Sequence, residues 1–173
     1  MKWTNQRIGI FVDVQNMFYS AKALHHSKID YSKLLLEAVD GRNLIRAIAY
    51  VVQKADVDQS GFIEALTRLG YEIKTKELRM RADGTAKGDW DMGIAIDTIA
   101  IAPKLDTVVL VSGDGDFAPL VHMLKARGCR VEVVSFKKST AIELVEAATN
   151  YTAIEESLLF KEKKNYKGDE SHN

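Results

Sequence analysis

Four aspartates are placed to do chemistry. Asp13 ends the first apolar run, Asp91 opens a helical stretch, and Asp114 and Asp116 follow the most strand-like run of the chain. Carboxylates brought within a few ångströms repel and raise one another's pKa, so a fold that gathers them needs a cation to neutralise them. An all-oxygen donor set suits a hard divalent ion, which makes Mg²⁺ or Mn²⁺ the expected cofactor; Mg²⁺ keeps several waters and takes one or two carboxylates plus substrate phosphate oxygens. Such a centre supplies what phosphodiester hydrolysis requires: an activated water, neutralised charge at phosphorus and a stabilised leaving oxygen. Each acid also has an ordinary use, because Asp is a favoured helix cap and turn residue. Asp89 competes with Asp91 for the role of ligand. Asp97, six positions after Asp91, lies about 120° away around a helix at ~100° per residue, as an auxiliary acid and not a direct ligand. Gly113 and Gly115 are expected to let backbone amides and a metal-held phosphate approach with no Cβ in the way.

The residues for other reactions are missing or misplaced. Cys129 is the sole cysteine, which excludes an internal disulfide framework and a zinc site of several thiolates, and fits a reducing, cytoplasmic setting. His25, His26, His122 and His172 lack zinc-like spacing. There is no nucleophile signature of the Ser/His/Asp or Cys/His kind, and neither G-x-x-x-x-G-K-[ST] nor G-x-G-x-x-G occurs, so nucleotide cofactors are not indicated. A phosphatase that forms an aspartyl-phosphate would carry two acids two apart at its first strand, whereas Val14 and Gln15 follow Asp13. No run approaches the ~20 apolar residues of a membrane span, so signal peptide, anchor and membrane partner are not expected.

The acids must be positioned by elements of two periods. Strand-like runs are Arg7 to Asp13, Leu44 to Val52, Tyr71 to Lys76, Thr107 to Val111 and Arg130 to Phe136, with Tyr151 to Ile154 as a short addition. Helices are expected over Met17 to Leu24, Tyr31 to Val39, Asp58 to Leu69 with Gly70 as stop, Asp91 to Ala102 before Pro103, Pro119 to Arg127 before Gly128, and Thr140 to Ala148. Leu78 to Gly88 reads as a long polar loop. Strands separated by helix-length segments imply parallel pairing with right-handed crossovers. The expected fold class is therefore α/β, a Rossmann-like three-layer α/β/α sandwich. At 173 residues one domain is expected, over residues 1–160, followed by a polar tail, 161–173, too poor in apolar residues to order. Ligands of open parallel sheets bind beyond the carboxyl ends of the strands, where neighbouring crossovers part to opposite faces. The four aspartates fall at that edge if their strands are neighbours.

Phe11-Val12-Asp13-Val14-Gln15-Asn16, then Lys87-Gly88-Asp89-Trp90-Asp91 with Ile94-Ala95-Ile96-Asp97, then Ser112-Gly113-Asp114-Gly115-Asp116-Phe117 together resemble the NYN domain family, in particular its LabA-like subgroup. The resemblance runs from about residue 7 to 155. NYN domains are similar to PIN-domain nucleases, which implies a central strand order 3-2-1-4-5 and Mg²⁺- or Mn²⁺-dependent cleavage of RNA. It further implies that Asp13, Asp91, Asp114 and Asp116 bind metal, that Asn16 hydrogen-bonds within the site and that Ser112 orients the acidic loop, with Asp97 and Lys87 auxiliary. Many family members have one residue between the Gly of the Lys87-Gly88 motif and the acid, whereas here Asp91 follows both Asp89 and Trp90. Asp91 is preferred because the register from Ile94 to Asp97 matches the family helix.

The charge balance refines this expectation. Twenty-four basic and 24 acidic side chains cancel, and the pI is about 6.9, so no global field draws the chain to nucleic acid. The zero conceals segregation. Lys74, Lys76, Arg79, Arg81 and Lys87 form one basic stretch, and Lys125, Arg127, Arg130, Lys137 and Lys138 another. Lys76, Arg79, Arg81, Lys137 and Lys138 are the expected contacts for a phosphate backbone, and Trp90 and Tyr71 the candidates for base stacking. The function expected is an endoribonuclease acting on single-stranded or structured RNA, with modest, metal-dependent affinity. The alternative is a non-catalytic regulatory module that binds RNA or protein by the same edge. A second copy of the chain is the other partner considered.

Overall fold

The computed structural model describes residues 4–161; beyond that point the expected polar tail lies outside the described residues. β1 (Arg7–Asp13) is buried at every position after Arg7, as befits a strand with neighbours on both sides and helices on both faces. α1 (Val14–His25) and α2 (Tyr31–Val39) lead to β2 (Asn43–Gln53), which pairs with β1 in parallel. α3 (Ser60–Leu69) crosses to β3 (Glu72–Glu77) at the sheet edge. A two-stranded hairpin, β4 (Arg79–Met80) with β5 (Ala86–Lys87), then precedes α4 (Asp91–Ile101). The chain returns to the centre as β6 (Thr107–Val111), on the other side of β1. α5 (Ala118–Ala126), β7 (Arg130–Ser135), α6 (Ile142–Ala147) and β8 (Asn150–Ala153) complete the second half. All pairings in the six-stranded sheet are parallel, in the order β3-β2-β1-β6-β7-β8. This is the expected arrangement with one further strand.

The period-two alternation of the strands feeds two cores. Ile8, Ile10 and Val12 face α1, α2 and α3 through Met17, Leu34 and Leu66. Phe11, Tyr50 and Leu110 face α4, α5 and α6 through Ile94, Val121, Leu124 and Leu144. Crossovers from β1 and β2 therefore cover one face and those from β3, β6 and β7 the other. The change of face falls between β1 and β6, whose carboxyl ends carry Asp13 and Ser112.

The segment read as a loop contains the β4–β5 hairpin. Arg79 pairs with Lys87 and Met80 with Ala86, and the Asp83 carboxylate accepts both the amide and the hydroxyl of Thr85 at the turn. α1 starts at Val14, earlier than expected, because Asp13 caps it. α6 is shorter than the expected Thr140 to Ala148, because Thr140 and Ala141 before it and Ala148 after it are extended. The opposite, amino-terminal edge of the sheet is held by ion pairs. Arg42, 7% exposed, donates to both carboxylate oxygens of Glu132 at 2.9 and 2.8 Å and to the Ala38 and Val39 carbonyls at the end of α2. Arg7 makes a more exposed forked pair with Asp106.

Candidate metal centre

Asp13 closes β1 and caps α1, accepting the Asn16 amide at 3.2 Å. Its other oxygen accepts the Ser112 hydroxyl at 3.2 Å, and the Ser112 oxygen in turn accepts the Asp114 amide at 3.2 Å. The Asn16 side-chain oxygen accepts the Gly113 amide at 3.0 Å. These bonds cross from the end of β1 to the end of β6 and fix the two loops against each other. Asp114 caps the turn that follows by accepting the Asp116 amide at 2.9 Å. Across the edge, α4 begins at Asp91. Carboxylate oxygens of Asp91, Asp114 and Asp116 lie within 4.8 Å of one another.

The electrostatics are those of uncompensated charge. Asp91 is pushed up to about 6, first by desolvation and then by Asp114, Asp89, Asp13 and Asp116. Burial also raises Asp13, against the opposing effect of the Asn16 and Ser112 hydrogen bonds, with Asp114 and Asp89 adding repulsion. Desolvated oxygen donors that repel one another are a donor set suited to a hard divalent cation. Asp89, the rival of Asp91, turns a carboxylate oxygen back onto the Asp91 amide at 3.3 Å.

The match to the NYN domain model spans residues 7–155. The chain belongs to the NYN domain family. Over 171 residues it is 32% identical to the low amplitude and bright protein LabA of Synechococcus elongatus, covering 94% of this chain and 91% of that one. An uncharacterized protein of Methanocaldococcus jannaschii is 27% identical over 141 residues, which span 79% of this chain but only 51% of that protein. Among solved structures, a protein of unknown function from Vibrio parahaemolyticus superposes with a TM-score of 0.85 at 37% identity, covering 92% of this chain and 99% of that one. The family is nuclease-like, and the NYN fold here carries an acidic group at its switch point.

The other expected residues of this NYN domain are distributed unevenly. Asp97 is not among the three grouped carboxylates; it accepts the Tyr50 hydroxyl at 2.8 Å and the Lys74 ammonium at 2.7 Å, clamping α4 to β2 and β3. Lys76 sits 4.4 Å from the centroid of the Trp90 ring and donates to the Asp89 carbonyl. Trp90 itself packs on Tyr50 and donates to the Val51 carbonyl, so the indole is a fixed part of the edge and not an open stacking surface. Tyr71 is buried, with its hydroxyl on the Tyr31 carbonyl; stacking by Tyr71 is excluded. Arg79, Arg81 and Lys87 are exposed on the hairpin, and Lys137 and Lys138 on the turn after β7. Lys74 and Lys125 of the basic stretches are engaged internally, with Asp97 and the Ala147 carbonyl.

The glycines of the acidic loop serve a different purpose from the one expected. A methyl group on Gly113 would meet the Ser139 carbonyl at 2.9 Å, and one on Gly115 would meet Glu143 Oε1 at 2.5 Å. The space is occupied by the segment after β7, which packs against the loop and leaves no gap there for a phosphate. Glu143 is thereby a further carboxylate at this edge that sequence reasoning passed over. Its signal was positional: it follows the end of β7, on the same carboxyl-end rim as the four aspartates.

Proposed function

We propose that this NYN domain is a divalent-metal-dependent endoribonuclease, with Asp13, Asp91, Asp114 and Asp116 as the residues that hold the ion. The observation that carries the reading is the approach of the Asp91, Asp114 and Asp116 carboxylates to within 4.8 Å at the sheet's switch point. When bound there, Mg²⁺ or Mn²⁺ would neutralise phosphate charge and lower the pKa of a water. Asn16 and Ser112 position the acids, Ser112 by bridging Asp13 to the Asp114 amide. Arg79, Arg81 and Lys87 on the hairpin and Lys137 and Lys138 on the far rim bind the phosphate backbone on either side, where their exposed charges attract a polyanion. Among the described residues no helix is long and apolar enough to cross a membrane, and the buried thiol of Cys129 suits a reducing cytoplasm.

Purified protein incubated with Mn²⁺ and a panel of RNAs should cut, and Asp13→Asn or Asp114→Asn should abolish cutting. Uncut RNA throughout, or variants as active as the parent, would end the reading. Binding without cutting that persists in EDTA would replace it with the non-catalytic module.

A further inference from the structure

On the face opposite α4, a groove of about 740 Å³ opens between α1 and α3, with Val51 of β2 and Leu66 of α3 at its floor. Its size is that of a small-molecule site. Val14 and Gln15, the two residues that follow Asp13, line its upper end, so the groove begins where the acidic edge stops. The Asp13 charge reaches Tyr31 in the groove wall, adding to the burial that raises the Tyr31 hydroxyl.

The wall along α1 carries Phe18 and Tyr19, which are 44% and 48% exposed and set edge to face. Adjoining the apolar groove, they form a contiguous exposed patch of the kind that marks an interaction site. A cation stands near each: Lys22 is 5.9 Å from the centroid of Phe18, and Lys54 is 5.5 Å from that of Tyr19 and donates to its hydroxyl. Rings that offer faces and cations beside them match a nucleobase attached to a phosphodiester chain. An apolar peptide or lipid would leave the cations unused.

We infer that the groove between α1 and α3 takes unpaired bases of a single-stranded RNA, stacked on Phe18 and Tyr19, while the adjoining phosphates lie across the acidic edge. The inference deepens the ribonuclease reading and rests on it for the identity of the polymer. At 1.5 Å per residue Phe18 lies about 8 Å along the helix from Asp13, near enough for one strand to touch both. A duplex, whose bases are stacked and paired, has no base to offer the groove.

The test measures binding of a fluorescein-labelled oligouridylate and oligoadenylate, an abasic analogue and an RNA duplex, with Mn²⁺ and in EDTA to the full chain carrying Asp114→Asn, and in EDTA to the parent. Phe18→Ala with Tyr19→Ala should weaken single-strand binding about tenfold or more and leave duplex binding unchanged. The abasic strand should bind the parent as weakly as the intact strand binds that double variant. Tyr19→Phe, which keeps the ring, should bind like the parent and guards against a folding defect in the double variant. Unchanged single-strand affinity, equal loss for duplex, or no single-strand binding in either buffer would overturn the inference. So would a parent dimer that the double variant dissociates with RNA binding intact, which would give the groove to a second copy. Cleavage with Mn²⁺ is scored separately: binding that follows this pattern in a protein that never cuts defeats the nuclease reading alone, and cutting indifferent to Phe18 and Tyr19 defeats the groove alone.

Discussion

The Trp90 indole donates to the Val51 carbonyl at 3.0 Å, tying the residue that precedes α4 to the carboxyl end of β2. Asp91 is the next residue, so the position of one carboxylate of the acidic group is set by an aromatic anchor. Gly93 makes room for it: a methyl group there would lie 2.5 Å from Trp90 Cε3. Helix propensity alone says that Gly93→Ala stabilises by about 1 kcal/mol. Overpacking against the anchored ring says that it destabilises by about 1–3 kcal/mol. The second should prevail, with a smaller rise in melting temperature on adding Mn²⁺. A denaturation series showing a gain in stability would refute the anchoring role.

Asp91 gives a pH signature. Its carboxyl titrates near 6 in the folded chain against an ordinary 3.8. Between these values the folded state holds the proton more tightly than the unfolded state, so this group's contribution to stability falls as pH rises through that window. In metal-free buffer Asp91→Asn should therefore raise the melting temperature at pH 7 and change it little at pH 4. Mn²⁺ competes with the same proton, and its stabilising shift should fade below about pH 6. Equal effects of the substitution at both pH values would contradict the repulsion described.

Arg42 and Glu132 form the pair most sensitive to substitution. With side chains only 2% and 12% exposed, removal of one partner leaves an uncompensated charge, so Glu132→Ala should cost about 3–5 kcal/mol. The Arg7–Asp106 pair, at 51% and 40% exposure, should respond far less to Asp106→Ala. Urea denaturation of both variants makes the comparison; similar losses would mean that burial does not govern these pairs.

Gly113→Ala and Gly115→Ala should differ. The added methyl meets the Ser139 backbone carbonyl in the first case, whereas the nearest atom in the second is the end of the Glu143 side chain, with Ala141 Cβ behind it. Backbone cannot swing aside as a carboxylate can, so Gly113→Ala should lose more stability and more RNA cleavage. Matched melts and cleavage rates decide the order.

The parallel sheet and its switch point were legible because the strands are long buried β-branched runs separated by helix-length segments. Asp13, Asp114 and Asp116 could be placed from the strands they follow. Asp97 was kept apart from the four candidate aspartates by helix geometry, and its carboxylate is taken up by Tyr50 and Lys74. What the chain did not reveal came from contacts distant in sequence. The hairpin at Asp83-Gly84 is held by two ladder pairs, too few to give a period. Lys76 looked free until folding laid it over Trp90, and Tyr71 looked open until it closed over Tyr31. Glu143 and the glycines of the acidic loop meet only because β7 lies beside β6.

The ion pairs of Arg7 and Arg42 stand at one end of the strands and the aspartates at the other. β1 spans seven residues, about 20 Å at the rise of a strand, more than twice the distance over which physiological salt damps surface charge. The two rims are thus electrically insulated from each other. Charge can therefore be exchanged at the acidic rim without loosening the clasp that holds the other end of the strands.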